Sequence, residues 1–442
     1  MQIRLSDHFT YQKLLRFTAP SVVMMIFTSI YGVVDGLFVS NFVGKTPFAA
    51  VNFIMPFLMM FGALGFMVGT GGGALVSKTL GEGDRERANG LFSMLIWVSL
   101  ALSAALAVIG IAFMRQIAVL LGAEGELLDC CVVYGRILML ALPAFVLQNE
   151  FQSFLITAER PRLGLWITVA AGVTNIVLDA LFVGVLRWGI EGAAVATVIS
   201  QVVGGIVPLV YFLAPNRCLL KLGSPAWDRR ALVKTCTNGS SELMTNLSLS
   251  LVNMLYNVQL MRFAGEDGVA AYGVIMYVNF IFISVFIGYS IGSAPIIGFH
   301  YGAGGTAELK NLYCKSLRIL IAVSVVLTVL AQVLADPLAR VFVGYDPVLL
   351  DMTRRGFAIY ALSFLLIGVN IFGSAFFTAL NDGLVSAGIS FLRTLVFQVA
   401  AVLVLPVALK LDGVWLAIVL AEGLALGVTV FCFITFKKKY QY

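Results

Sequence analysis

Charge is what this sequence has least of. Asp, Glu, Lys and Arg make up only 12% of its 442 residues, about half the ~25% of an ordinary soluble domain, and that excludes a soluble globular protein. Histidine is nearly absent, with His8 and His300 alone, so histidine-ligated metal chemistry and a Ser-His-Asp relay have little to work with. The cysteines at 130, 131, 218, 236, 314 and 432 form no CxxC pair and stand near no histidine, which argues against a zinc site or a disulfide framework. A phosphate-binding loop is missing too: ahead of Gly44-Lys45-Thr46, Val39 stands where the first glycine is required. An ATP-driven pump is thereby disfavoured. No small-residue cleavage site follows the first apolar run, so the first helix is expected to remain in the mature protein.

What the sequence has in quantity is apolar length. It is 60% hydrophobic, with a mean hydropathy of +0.97. Runs between charged or Gly/Pro punctuation predict twelve spans, at 15–42, 48–76, 90–114, 131–157, 163–186, 191–214, 234–261, 268–298, 314–335, 354–379, 384–409 and 413–436. Each reaches the roughly 20 residues that cross a bilayer as a helix, where barrel strands would alternate over about 10. A dozen spans of about 24 residues leave about 150 for loops, too few for a second soluble domain. The expected fold class is an all-α polytopic membrane protein. Its net charge of +6 is scattered between the apolar runs, so no nucleic-acid surface is indicated. Nineteen basic residues fall in the segments around 4–16, 78–87, 160–162, 217–234, 310–318 and 437–439, against nine on the opposite side. That bias predicts cytoplasmic termini.

Self-comparison reveals a duplication. A shift of 221 residues sets 42–51 (FVGKTPFAAV) on 263–272 (FAGEDGVAAY), 80–92 on 301–313, Ser153, Thr157 and Ala158 on Ser374, Thr378 and Ala379, and 192–201 on 413–422. One ungapped offset over four stretches that include loop glycines is more than shared hydrophobicity. Six spans per half is an even number, so the halves insert in the same orientation as parallel repeats facing across a cleft. The expected division is an N-lobe over 1–214, a basic cytoplasmic linker over 215–233, and a C-lobe over 234–442.

Ionisable groups inside spans are costly and are functional candidates by default. Asp35, Asp179 and Thr197 fall at a similar distance from the outer helix ends, roughly 10 Å deep at about 1.5 Å per residue. Asn175 shares a helix face with Asp179. Two carboxylates, an amide oxygen and a hydroxyl suit a proton or a small hard cation such as Na+. The alternative is that they tie helices together by hydrogen bonds. Under the 221 shift Asp35, Asn175, Asp179 and Thr197 become Tyr256, Val396, Ala400 and Ile418, so three of the four lose their oxygen ligand. A purely structural role would be needed in both halves.

Glu242 and Tyr256 are candidate substrate or second-lobe contacts, although Glu242 also suits a helix N-terminal turn. Glu422, which pairs with Gln201 under the shift, is expected to make structural hydrogen bonds, and Arg393 to snorkel toward the inner surface. Glu150 is placed nearer the cytoplasmic side. Pro20 is a candidate hinge. The small residues of Gly69–Gly73 permit close helix contact.

The two six-helix halves, Pro20 fifteen residues before Asp35 in 20–39 (PSVVMMIFTSIYGVVDGLFV), 175–179 (NIVLD) and 192–201 (GAAVATVISQ) resemble the multidrug and toxic-compound extrusion (MATE) family, in particular its bacterial MepA-like branch. The resemblance implies a secondary transporter of the bacterial plasma (inner) membrane. It would exchange amphipathic, mainly cationic drugs for H+ or Na+ by alternating access, contribute to antibiotic resistance, and need no further cofactor. It implies that Asp35, Asn175, Asp179 and Thr197 line an N-lobe cation site. An acidic C-lobe site, carried by some members, is matched only by Glu242. A monomer is the expected functional unit. A flippase for lipid-linked saccharides would need cationic residues in its cavity, whereas the candidate cavity charges here are acidic; a membrane-embedded acyltransferase would need a nucleophile and base that the sequence lacks.

The charge bias is tested by labelling. In a background lacking the native cysteines, a membrane-impermeant thiol reagent added outside should modify Lys45→Cys and spare Arg229→Cys, and the reverse pattern would invert the topology.

Overall fold

The computed structural model describes residues 3–43, 45–215, 218–344 and 346–442. Gly44 and Arg217, which enter the repeat and charge comparisons, lie outside the described residues. The described chain is helical with no strand. The first half holds α1 (Tyr11–Phe42), α2 (Lys45–Gly81), α3 (Arg85–Leu120), α4 (Gly125–Leu140), α5 (Leu142–Thr157), α6 (Pro161–Asp179) and α7 (Gly189–Leu213). The second holds α8 (Arg229–Gly302), α9 (Thr306–Val343), α10 (Pro347–Tyr360), α11 (Phe364–Ala379), α12 (Gly383–Phe391) and α13 (Gln398–Tyr440). Helix α8 begins inside the segment expected as linker, capped by the Asp228 carboxylate, which accepts from the Arg230 and Ala231 amides at 2.9 and 3.1 Å.

These elements make twelve spans in two lobes once their breaks are read physically. The unbroken helical run of α8 is two spans, because Gly265 has φ 61°, a left-handed conformation that glycine adopts without steric penalty. There the chain doubles back: Tyr256 and Tyr272 stack at 5.1 Å, and the Tyr272 hydroxyl donates to Asn253 Oδ1 at 2.8 Å. Lys410, with φ 50°, likewise divides α13. Short loops were expected at both places, and the structure replaces them with single-residue reversals. Conversely α4 and α5 are one span bent by 58°.

The duplication is visible in the backbone. Left-handed Gly83 recurs 221 residues on as Gly304, and left-handed Gly189 as Lys410. Ala141, where α4 meets α5, maps onto Leu362 inside the 3-10 turn between α10 and α11, and Arg85, which opens α3, maps onto Thr306, which opens α9.

The lobes meet where small residues let backbones touch, which is how helices associate when hydrocarbon surrounds them. A Cβ on Gly71 would lie 2.6 Å from the Gly239 amide nitrogen, and one on Gly239 would overlap the Met67 carbonyl. Gly302 and Gly81 face Lys78 and Phe299 in the same way, and Gly288 faces Ser21 and Val22. This seam of α1 and α2 against α8 lies at the end that carries both termini. There the N-terminal segment bridges the halves, with the Leu5 amide donating to Glu159 at 2.7 Å and the Phe9 amide to Glu308 at 2.9 Å. Burial raises the Glu159 carboxyl above its usual range, with the Leu5 amide opposing. Tyr442 closes the same end against Tyr313, centroids 4.8 Å apart.

Gly239→Ala should therefore cost about 1–3 kcal/mol through forced separation of α2 and α8, read as a lowered melting temperature of the purified protein. Gly427→Ala, with nothing within 4 Å of its Cβ, should be neutral or gain up to ~1 kcal/mol of helix propensity. Equal effects would remove the seam as the cause.

Candidate functional site

Asp35 lies midway through the second half of α1, and Asp179 ends α6 where the helix loosens into a π-helical turn, Ala180–Val185. Such turns leave backbone groups out of register and recur at functional sites. The structure places Asp35 against both Asp179 and Asn175. Tyr134 of α4 sits beside Asp35, Asp179 and Thr197, so the four residues singled out by depth and spacing share one neighbourhood. Asp179 and Asn175 are buried, 0% and 2% exposed. Neither oxygen of Asp179 has a hydrogen-bond partner, nor does Asp35 Oδ1 or Asn175 Nδ2. The Thr197 hydroxyl is spent locally, donating to the Ala193 carbonyl at 3.0 Å.

Buried polar atoms without partners are rare because each costs its full desolvation. Two carboxylates with unpartnered oxygens, beside an amide and a hydroxyl, fit a proton shared between acids, or a hard cation taken between them. No Lys or Arg forms an ion pair with either acid among the described residues. Tyr134 and Tyr31, the latter beside Asp35 and Gln148, were not anticipated. A tyrosine in an apolar helix carries no directional signal until its neighbours are known.

Pro20 lies within an unbroken α1, buried at the seam. Glu150 is fully buried in α5, with neither oxygen hydrogen-bonded.

The second half holds a different arrangement. A cavity of about 260 Å³ opens between the lobes, walled by α8, α11, α12 and α13 and floored by Gly69, Thr70, Gly73 and Ala74 of α2 and by Ser153 and Thr157 of α5. The four N-lobe residues do not line it. Glu242, Tyr256, Arg393 and Glu422 do. Here one expectation fails: Arg393 does not snorkel toward the surface. It is 9% exposed, and its Nε donates to both oxygens of Glu422, at 2.9 and 3.0 Å. A carboxylate 1% exposed on the neighbouring span supplies the partner that a buried guanidinium requires, and each would be stranded without the other. Glu422 also accepts from Asn370 Nδ2 at 2.7 Å, and Asn370 Oδ1 accepts from Thr429 at 3.0 Å. The cavity charge is thus not purely acidic, contrary to the expectation from sequence. Glu242 is within electrostatic reach of Arg393 but makes no ion pair among the described residues. Tyr256, stacked on Tyr272, keeps a buried hydroxyl without a partner.

Comparison with known proteins matches the chain as a whole. The model of the family described as MatE matches residues 20–181 and 243–403, one segment in each half. The "Multidrug export protein MepA" of Staphylococcus saprophyticus is 23% identical over 366 residues, 81% of each chain. The protein of the same name from Staphylococcus aureus is 21% identical over 94% of this chain and 91% of that one. A solved structure described as the outward-facing conformation of a multidrug resistance MATE family transporter superposes with a TM-score of 0.93 at 22% identity, covering 98% of this chain and 97% of that one, a likeness of fold.

Proposed function

The chain belongs to the MatE family of membrane transporters, and from that premise we propose that it exports amphipathic, mainly cationic compounds from the cytoplasm of a bacterium in exchange for H+ or Na+ by alternating access. It is a transporter and not an enzyme. The observation that carries the coupling is the group of Asp35, Asn175 and Asp179, in which both Asp179 oxygens, Asp35 Oδ1 and Asn175 Nδ2 are buried without protein partners. Two acids in one low-dielectric place stay ionised together only with a cation between them, and otherwise share a proton. Ion entry from outside neutralises the pair, repacks the first lobe and weakens drug binding in the cavity, so downhill ion flow drives uphill export. The required coupling is modest, because each tenfold change in drug affinity is about 1.4 kcal/mol.

The substrate reading rests on the cavity. Glu242 and Glu422 outnumber Arg393 there, which favours a positive centre. Tyr256, Tyr272, Tyr360 and Met276 supply aromatic faces and an adaptable thioether for varied apolar shapes. The flippase alternative gains one cationic residue in Arg393, but that charge is already matched by Glu422. In this reading the termini and the linker face the cytoplasm, the halves divide near 215–233, Pro20 lets α1 bend between states, and one chain suffices.

Proteoliposomes with an imposed H+ or Na+ gradient should take up an ethidium-like cation, and collapsing the gradient should abolish uptake. Binding of that cation should weaken on lowering pH or adding sodium, and should exceed that of size-matched neutral and anionic analogues; tighter binding of the anions would promote the flippase. Asp35→Asn and Asp179→Asn should each abolish gradient-driven transport while the protein remains folded in the membrane. Full transport by either variant would remove that residue from the coupling.

A further inference from the structure

The cavity wall carries three charged side chains among the described residues, Glu242, Arg393 and Glu422. Their arrangement is uneven. Arg393 stands in a π-helical turn, Leu392–Phe397, and only its Nε is engaged. Both bonds run to Glu422, and the terminal guanidinium nitrogens make no hydrogen bond among the described residues. Asn370 occupies Glu422 further, through Oε2 at 2.7 Å. Glu422 is therefore a fixed counter-ion held in the wall, and its charge is cancelled by the Arg393 guanidinium. Glu242 is left over. It faces the cavity without an ion pair among the described residues, within electrostatic reach of Arg393.

We propose that the Arg393–Glu422 pair holds the cavity at one uncompensated negative charge, that of Glu242, so that the protein selects singly charged lipophilic cations over dications. This rests on the exporter reading above and adds a charge rule to it. The first positive centre of a ligand finds Glu242. A second must be taken out of water with no free carboxylate to receive it, because Glu422 is already matched by Arg393. In a site of low dielectric a desolvated, unmatched charge is the dominant penalty. An unlike pair thus tunes valence, although neither member need touch the favoured ligand.

Ethidium and propidium test this, since they share a ring system and differ by one positive charge. Binding to the purified full-length protein should favour ethidium by about tenfold or more, a difference of about 1.4 kcal/mol. Arg393→Gln, measured at pH 8.5, adds a net negative charge and should bring propidium to equality or beyond. The double variant Arg393→Gln/Glu422→Gln removes both members, returns the cavity to its original charge, and should restore the ethidium preference. A merely structural role for Arg393 would leave the double variant as altered as the single one. Because Arg393→Gln leaves a buried carboxylate alone and could fail to fold, Glu422→Gln serves beside it: the cavity then has no net charge, and ethidium affinity should fall about tenfold. Equal binding of the two dyes by the unaltered protein, an unrestored preference in the double variant, or unchanged ethidium affinity in Glu422→Gln would each overturn the charge rule. If the unaltered protein binds both dyes equally and still rejects anions, the rule fails and the exporter stands. If it binds anionic analogues more tightly than either dye, both fall.

Discussion

A charged side chain taken out of water must be paired, neutralised or matched by a ligand, and this one requirement separates the two halves of the molecule. In the second half one cluster meets it from within: Glu422 has Arg393 and Asn370, and Asn370 has Thr429, while Glu242 alone is left to the cavity. In the first half Asp35 and Asp179 meet each other, an amide and tyrosines, with no Lys or Arg in an ion pair with either among the described residues. One cluster is complete as it stands. The other keeps carboxylate oxygens without protein partners, and the proposed coupling to an ion gradient rests on that difference.

The scaffold that carries this asymmetry is itself symmetric. Breaks at Gly83 and Gly304, at Ala141 and Leu362, and at Gly189 and Lys410 recur at one offset, so each half is the same bundle with different residues lining it. The halves are joined by backbone contact through Gly71, Gly239, Gly81 and Gly302. Such a joint has little side-chain interdigitation to undo when two helices slide or rock against each other, which suits lobes that move as bodies. The cavity lies beside this seam, so its shape depends on how the lobes sit while its charge depends on α8, the π-helical turn Leu392–Phe397 and α13.

Much of the fold was legible because the bilayer imposes a simple rule on sequence: every span needs about 20 apolar residues, and every polar exception stands out. Helix count, the parallel duplication, and the candidacy of Asp35, Asn175, Asp179 and Thr197 all come from that contrast. The reversals at Gly265 and Lys410 were less legible, since one left-handed residue ends a helix as effectively as a loop does, and Lys410 gives no sign of it in its composition.

What the sequence determined by itself was one-dimensional: length of spans, side bias of charge, repeat offset, and which residues are out of place in lipid. Only the tertiary structure decided who meets whom. Arg393 and Glu422 are 29 residues apart, on helices whose rotation about their axes is set by packing, so no periodicity states that they face each other. The same holds for Tyr134 beside Asp35 and Thr197, and for Glu242 remaining unpaired. Charge pairing acts over a few ångströms across helix surfaces, and that distance is defined only once the helices are packed.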